Sequence, residues 1–236
     1  IMRKFLFSFL VLSCFSFQSL SAAGYIALYS MEVEDQNAFA ADMDELMSSD
    51  WGKSFPGAVS LVHYTFNGYD DATHAVVINY ETEADMAKGT DSFYEPYFGT
   101  FLAKTASNVS DVEQSLSMKL ISGGESNPEN NQVYTVFRMQ VEDPASYAKA
   151  YMKVTEAQQE AGNMDGAYGL RAQVAGSVNY YTHYAFIGAS SMQSAIEGME
   201  TLYSSDSFAT FQKEVDGNRK LMNTSMLKVL KVYNTN

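Results

Sequence analysis

Apolar and polar residues along this chain alternate in short runs, and the runs recur in the same order twice. Tyr25 to Val33 is rich in aromatic and β-branched residues and reads as a strand, as does Val133 to Val141. A helix start follows each: Asp35 and Asp143 stand at N-cap positions, and Pro144 falls at the first helical position of the second. Phe39, Met43, Leu46 and Met47, and then Tyr147, Ala150, Tyr151 and Val154, return at helical spacing and read as core. Second strands are expected over 59–66 and 167–174, Gly-containing turns over 67–70 and 176–179, and third strands over 73–80 and 182–189. Broken helical regions follow over 83–106 and 192–215, interrupted near Pro96 and Ser204-Ser205, and last strands over 116–121 and 226–233. Each half therefore reads β-α-β-β-α-β.

The recurrence extends to residue identity. Met31-Glu32-Val33-Glu34-Asp35 returns as Met139-Gln140-Val141-Glu142-Asp143, 108 positions on; Thr73-His74 returns as Thr182-His183, 109 on; Phe98-Gly99-Thr100-Phe101 returns as Phe208-Ala209-Thr210-Phe211, 110 on. An offset that holds nearly constant across a whole unit marks a duplicated fold. The polar stretch 122–131, with Gly and Pro and no apolar periodicity, reads as the linker. The expected layout is a signal segment 1–23, a first α+β repeat 24–121, the linker 122–131 and a second repeat 132–236.

This doubled order, with a broken second helix carrying Phe93-Tyr94, Phe98 and Phe101, resembles the dimeric α+β barrel superfamily. The resemblance implies two ferredoxin-like units packed as an intramolecular pair around a barrel. The superfamily includes cofactor-free monooxygenases, haem-degrading enzymes, polyketide cyclases and chlorite-dismutase-like haem proteins, so the resemblance implies a fold and not an activity.

Residues 1–23 read as an export signal: Arg3 and Lys4, a mostly apolar run from Phe5 to Phe17, then Ser21-Ala22-Ala23 as a cleavage site. The expected destination is the periplasm or the exterior. A rival reading takes Val11-Leu12-Ser13-Cys14 as a loose lipidation signal. Cys14 is the only cysteine, so cleavage after Ala23 leaves no disulfide, thiol nucleophile or cysteine metal site. The chain carries 15 Lys+Arg against 28 Asp+Glu, a net of −13; without Arg3 and Lys4 it is 13 against 28, a net of −15. Such a surface repels nucleic acid and anionic lipid, and no second apolar run of membrane-spanning length follows the signal. Phosphate loops, dinucleotide fingerprints, the serine nucleophile elbow, HExxH and calcium loops are all missing from the sequence.

Strand alternation assigns candidate site residues. Tyr29, Met31 and Val33 share a face matched by Phe137, Met139 and Val141, expected to pack on helices. The opposite face is expected to gather Ser30, Glu32, His63 and Thr65 from one half, and Arg138, Gln140, Arg171 and Gln173 from the other. His63 with Glu32 would serve as base and partner, Arg138 and Arg171 would hold an anion, and Ser30, Thr65, Gln140 and Gln173 would contact the ligand. The competing reading is a partly solvated face whose members pair among themselves. His74 and His183 open third strands and read as structural; they lack neighbours at zinc-ligand spacing, and an axial haem role stays open without an attachment motif. No cofactor is expected, with haem as the alternative. Trp51 is the only tryptophan and either packs in the core or walls a pocket.

The leading reading is an exported α+β barrel that binds a small apolar or anionic molecule in its lumen or in clefts beside it. The rivals are a cofactor-independent oxygenase or isomerase-like enzyme using His63, Glu32 and the arginines, and a non-catalytic interaction protein whose barrel is filled by its own side chains.

Overall fold

The structure, a computed structural model, describes residues 24–234 apart from 69, 125–126, 165 and 177–179. The expected signal segment with Cys14, part of the linker and most of the second Gly turn lie outside the described residues. The first half runs β1 (Tyr25–Val33), α1 (Gln36–Ser48), α2 (Asp50–Ser54), β2 (Ala58–Phe66), β3 (His74–Tyr80), α3 (Glu83–Ser92), α4 (Pro96–Thr105) and β4 (Val109–Gly123). After a 3-10 turn at Pro128–Asn130, the second half runs β5 (Val133–Val141), α5 (Pro144–Glu160), β6 (Tyr168–Ala175), β7 (His183–Ala189), α6 (Met192–Ser204), α7 (Asp206–Glu214) and β8 (Arg219–Tyr233). The eight strands close into one antiparallel barrel in the order β1-β3-β2-β8-β5-β7-β6-β4. The halves join where β2 pairs with β8 and β4 with β6, so no strand edge is left open. No helix of the described residues is long and apolar enough to cross a membrane.

Local chemistry sets the element boundaries. The Asp35 carboxylate accepts from the Asn37 and Ala38 N–H groups, and Asp143 accepts from Ala145 and Ser146, so both helices start where the cap predicts. Ser49 ends α1 and caps α2, its hydroxyl accepting from the Gly52 N–H. Pro96 and Ser205 then start the second segments of the two broken helical regions. β4 and β8 begin seven residues earlier than the expected 116 and 226. The early part of β4 is exposed, so it carries no apolar alternation to announce a strand.

A clamp invisible in the strand pattern recurs in both halves. The Asp35 N–H donates to Asn108 Oδ1 (2.6 Å) while Asn108 Nδ2 donates to the Asp35 carbonyl (2.9 Å). Asn218 makes the same pair with Asp143, at 2.6 and 3.0 Å. Each clamp ties the start of a final strand to the cap of the first helix. Asn218→Ala is expected to cost about 1–2 kcal/mol, since two backbone groups lose partners at once. Urea unfolding checks this, and Asn108→Ala should add to it nearly independently.

The helix-packed face of β1 and β5 is as expected: Met31 and Val33 join the first core with Phe39, Met43 and Leu46, and Met139 and Val141 join the second with Tyr147 and Val154. In β2 the faces are reversed. Val59 and Leu61 lie in the helix-side core, whereas Val62 and Tyr64 point into the barrel. His63 and Thr65 therefore share the outer face with Leu61. The reason is register. His63 pairs with His74, and Ala172 pairs with His183 in the second half, so the halves match here at an offset of 109 and not 108. A slip of one residue moves every side chain to the other face.

Candidate functional site

A closed barrel buries both faces of its sheet, so three spaces compete as a ligand site: the lumen and one cleft between sheet and helices in each half. The lumen is full. Val62, Tyr64, Ala75 and Leu227 pack there with Leu28, Val77, Tyr134, Val136 and Val229. Gly169 admits one further ring, since a Cβ there would sit 2.7 Å from Phe186. A polar belt crosses the second half of the lumen. Arg138, 4% exposed, donates from Nη1 to Ser225 Oγ (2.8 Å) and from Nη2 to the Tyr64 hydroxyl (2.9 Å), which also bonds Ser30 Oγ (2.9 Å). Tyr184 stands between Arg138 and Arg171 on neighbouring strands and bonds Ser117 Oγ (2.9 Å). Arg171 donates to the Gly24 carbonyl (3.2 Å), and burial lowers its pKa, with Tyr184 acting in the opposite sense. The space at the lumen's mouth, beside Arg138, Ser30, Asp70 and Glu113, is about 10 Å³, no more than a water requires.

The clefts are open. The first, about 450 Å³, lies between the sheet and α1–α4. Its wall is an aromatic stack: Trp51 lies 5.2 Å from Phe98 and 5.1 Å from Phe55, Phe93 lies 4.7 Å from Phe98, and Tyr29 meets Phe93 edge-on at 5.8 Å. Trp51, only 9% exposed, is held by its indole N–H donating to the Ser92 carbonyl (3.2 Å). Met43, Met47 and Val76 line the rest, while Tyr94, 86% exposed, stands at the lip. Its polar groups are few: Thr90, Thr105, Gln114 and the phenols of Tyr29 and Tyr94. Burial raises the Tyr29 pKa, so it is a neutral donor. The second cleft, about 340 Å³, is lined by Tyr147, Tyr151, Phe208, Phe211, Gln212 and Arg219 among others. Both volumes fall within the roughly 300–1,000 Å³ of small-molecule sites.

The expected site residues divide accordingly. The lumen brings together Ser30, Arg138, Arg171 and Gln173, joined by Tyr64, Tyr184, Ser117 and Ser225, which face alternation did not select. Glu32 is exposed at the end of β1, where Ser110 Oγ donates to it (3.3 Å), and Thr65 is exposed. Gln140 donates to the Tyr180 carbonyl (3.3 Å). His63 stands outside the lumen with its ring 5.0 Å from His74, on the face opposite Glu32's, so the structure does not assemble these two as a base and its partner. Among the described residues no carboxylate or imidazole lines either cleft.

The repeated Thr-His pair is structural. Thr73 and Thr182 accept the Val33 and Val141 N–H groups (2.9 and 3.0 Å), and each bonds Nδ1 of the following histidine (2.9 Å). Burial, with His63 nearby, pushes the His74 pKa down to about 4, and burial also lowers that of His183. A haem ligated by histidine or thiolate does not fit the clefts, since neither is lined by a histidine or cysteine. Among the described residues no three His, Cys, Asp or Glu side chains gather as a metal site.

No protein-family model matches the sequence, and no curated protein is significantly similar to it. Solved structures do match in shape. A candidate monooxygenase from Lactobacillus acidophilus superposes with a TM-score of 0.64 at 9% identity, over 90% of this chain and 96% of its own. An anthrone oxidase-like protein follows at 0.59 and 10%, over 89% and 92%. A chlorite dismutase variant from Candidatus Nitrospira defluvii matches at 0.55 and 8%, over 88% and 92%. At such identities the likeness concerns fold alone, and with the strand order above it shows that this chain has the dimeric α+β barrel fold, closed within a single polypeptide.

Proposed function

We propose that the protein binds a neutral, largely aromatic small molecule in the first cleft. The observation that carries this reading is the contrast between a filled lumen and an open apolar cleft of about 450 Å³ walled by Trp51, Phe93 and Phe98. Apolar area and ring stacking supply the affinity, and Gln114 and the Tyr29 phenol supply orientation, since the Thr90 and Thr105 hydroxyls donate to carbonyls of their own helices. Because Trp51 is the only tryptophan, its emission reports on this cleft alone. Titration with 2-naphthol should change Trp51 emission saturably at 1:1, with a Kd of about 10–100 μM for a ligand of that size. A linear, unsaturable change would contradict the reading.

A second reading follows from the monooxygenase and anthrone oxidase-like neighbours: oxidation of such a ring by dioxygen in the same cleft. Oxygen uptake with anthrone, above the protein-free rate and lost on blocking the cleft, would support it. Unchanged uptake leaves binding alone.

We also propose that the protein is exported, on the basis of Arg3-Lys4, the apolar run to Phe17 and Ser21-Ala22-Ala23. A mature mass beginning at Gly24 is expected, and a lipidated Cys14 would contradict cleavage there.

A further inference from the structure

Duplication makes the two clefts comparable wall by wall, and they have parted in chemistry. The matched positions follow from register and capping: α1 and α5 start 108 residues apart after their Asp caps, and Val109 opposite Val33 corresponds to Arg219 opposite Val141. Phe39 becomes Tyr147, Met43 becomes Tyr151, Met47 becomes Thr155, Leu102 becomes Gln212 and Val109 becomes Arg219. Five apolar positions in one cleft are thus polar in the other, and one of them is a cation.

Most of the second cleft's polar groups are already engaged. The Tyr151 hydroxyl donates to the Gly169 carbonyl (3.0 Å), the Thr155 hydroxyl to the Tyr151 carbonyl (3.0 Å), and Gln158 binds Ser205 and Ser207 (2.9 and 2.7 Å). Arg219 differs. Its guanidinium carbon lies 5.3 Å from the centre of the Phe211 ring, and it pairs with no carboxylate among the described residues, although the chain carries 28 acidic residues. Arg219 also reaches the buried Tyr147 phenol, and its charge together with hydrogen bonding counters the rise that burial imposes on that phenol's pKa.

We propose that the second cleft is a separate site for a small amphiphilic anion: an apolar ring or chain held among Phe137, Met139, Met164 and Phe208, and a carboxylate paired with Arg219. A guanidinium has five N–H donors, so one held over the Phe211 ring and beside the Tyr147 phenol keeps donors for a carboxylate, and the low-dielectric wall strengthens that pair. The acidic exterior repels anions, so the site selects by local pairing against the net charge.

The test uses the full chain with 13C-methyl methionine, because Met139 and Met164 line this cleft while Met31, Met43 and Met47 line the first. The probes are 2-naphthoate and its neutral amide. The Met139 and Met164 signals should shift with naphthoate at about tenfold lower concentration than with the amide. Arg219→Met should abolish that preference and Arg219→Lys should retain part of it, with the Trp51 response to 2-naphthol unchanged in both. Added salt should weaken naphthoate binding, whereas repulsion by the acidic exterior alone predicts strengthening. This salt test keeps the proposal falsifiable if Arg219→Met fails to fold. Equal shifts by both probes, an unaltered Arg219→Met, or salt-strengthened binding would overturn it. Loss of the Trp51 response alone would bear on the first cleft.

Discussion

Arg138→Ala is expected to destabilise the protein by about 3 kcal/mol, whereas Arg138→Met should cost only about 1 kcal/mol. Two effects oppose one another at this side chain. Its charge is buried inside the barrel on hydroxyls, with Asp70 near the mouth but no direct ion pair among the described residues, so removing the charge recovers desolvation energy. Its volume fills the space between the Tyr64 and Tyr181 rings, 5.6 and 5.7 Å from its guanidinium carbon, and its N–H groups satisfy Ser225 and Tyr64. Alanine forfeits both the volume and the hydrogen bonds. Methionine keeps most of the volume; of the two hydroxyls it abandons, Tyr64 keeps Ser30, whereas the fully buried Ser225 hydroxyl loses its partner. Urea unfolding of the two variants separates these terms. Equal losses in both would mean that the charge itself matters, and would point to an anion in the lumen.

Acidification is expected to cost roughly 2–3 kcal/mol of stability between pH 7 and pH 4 through His74 alone. This histidine is 3% exposed, its Nε2 has no hydrogen-bond partner, and the His63 ring lies 5.0 Å away. Its pKa in the fold is about 4, below the ordinary 6.5, so between those values the unfolded chain binds more protons. Stability therefore rises with pH through that window and falls as pH drops through it. His183 contributes in the same direction. His74→Leu should flatten the profile, and His63→Ala, which reproduces Ala172 of the second half, should shift its midpoint upward. Thermal melts from pH 4 to 7 check both; an unchanged slope in His74→Leu would contradict the assignment.

The duplication, the element order and the faces of β1 and β5 were legible because a half-buried strand and a capped helix write their periods directly into the sequence. β2 was not, and the reason is instructive. The offset is already 109 at Thr73-His74, so one residue enters between Asp35 and Thr73; setting the second strands at 59–66 and 167–174, 108 apart, places the extra residue too late. Alternation alone could not correct the error, because a closed barrel buries both faces and the apolar set Val62 and Tyr64 belongs to the lumen. The clefts were illegible for a different reason. Trp51 and Phe98 come from α2 and α4 and Phe93 from the turn after α3, and nothing in local spacing says that they stack on one another. Arg219 hid in a final strand whose early residues lack apolar alternation, although its match to Val109 in the repeat would have exposed it.

The proposed ligand space of this barrel lies between its sheet and its helices and not inside it. A crystal structure of the protein soaked with 4-iodophenol tests this most directly, since the iodine can be located by its anomalous scattering without prior assumption. A peak is expected in the first cleft, among Met43, Trp51 and Phe98. A peak in the lumen beside Arg138 and Tyr64, or no peak in the first cleft at saturating probe, would contradict it.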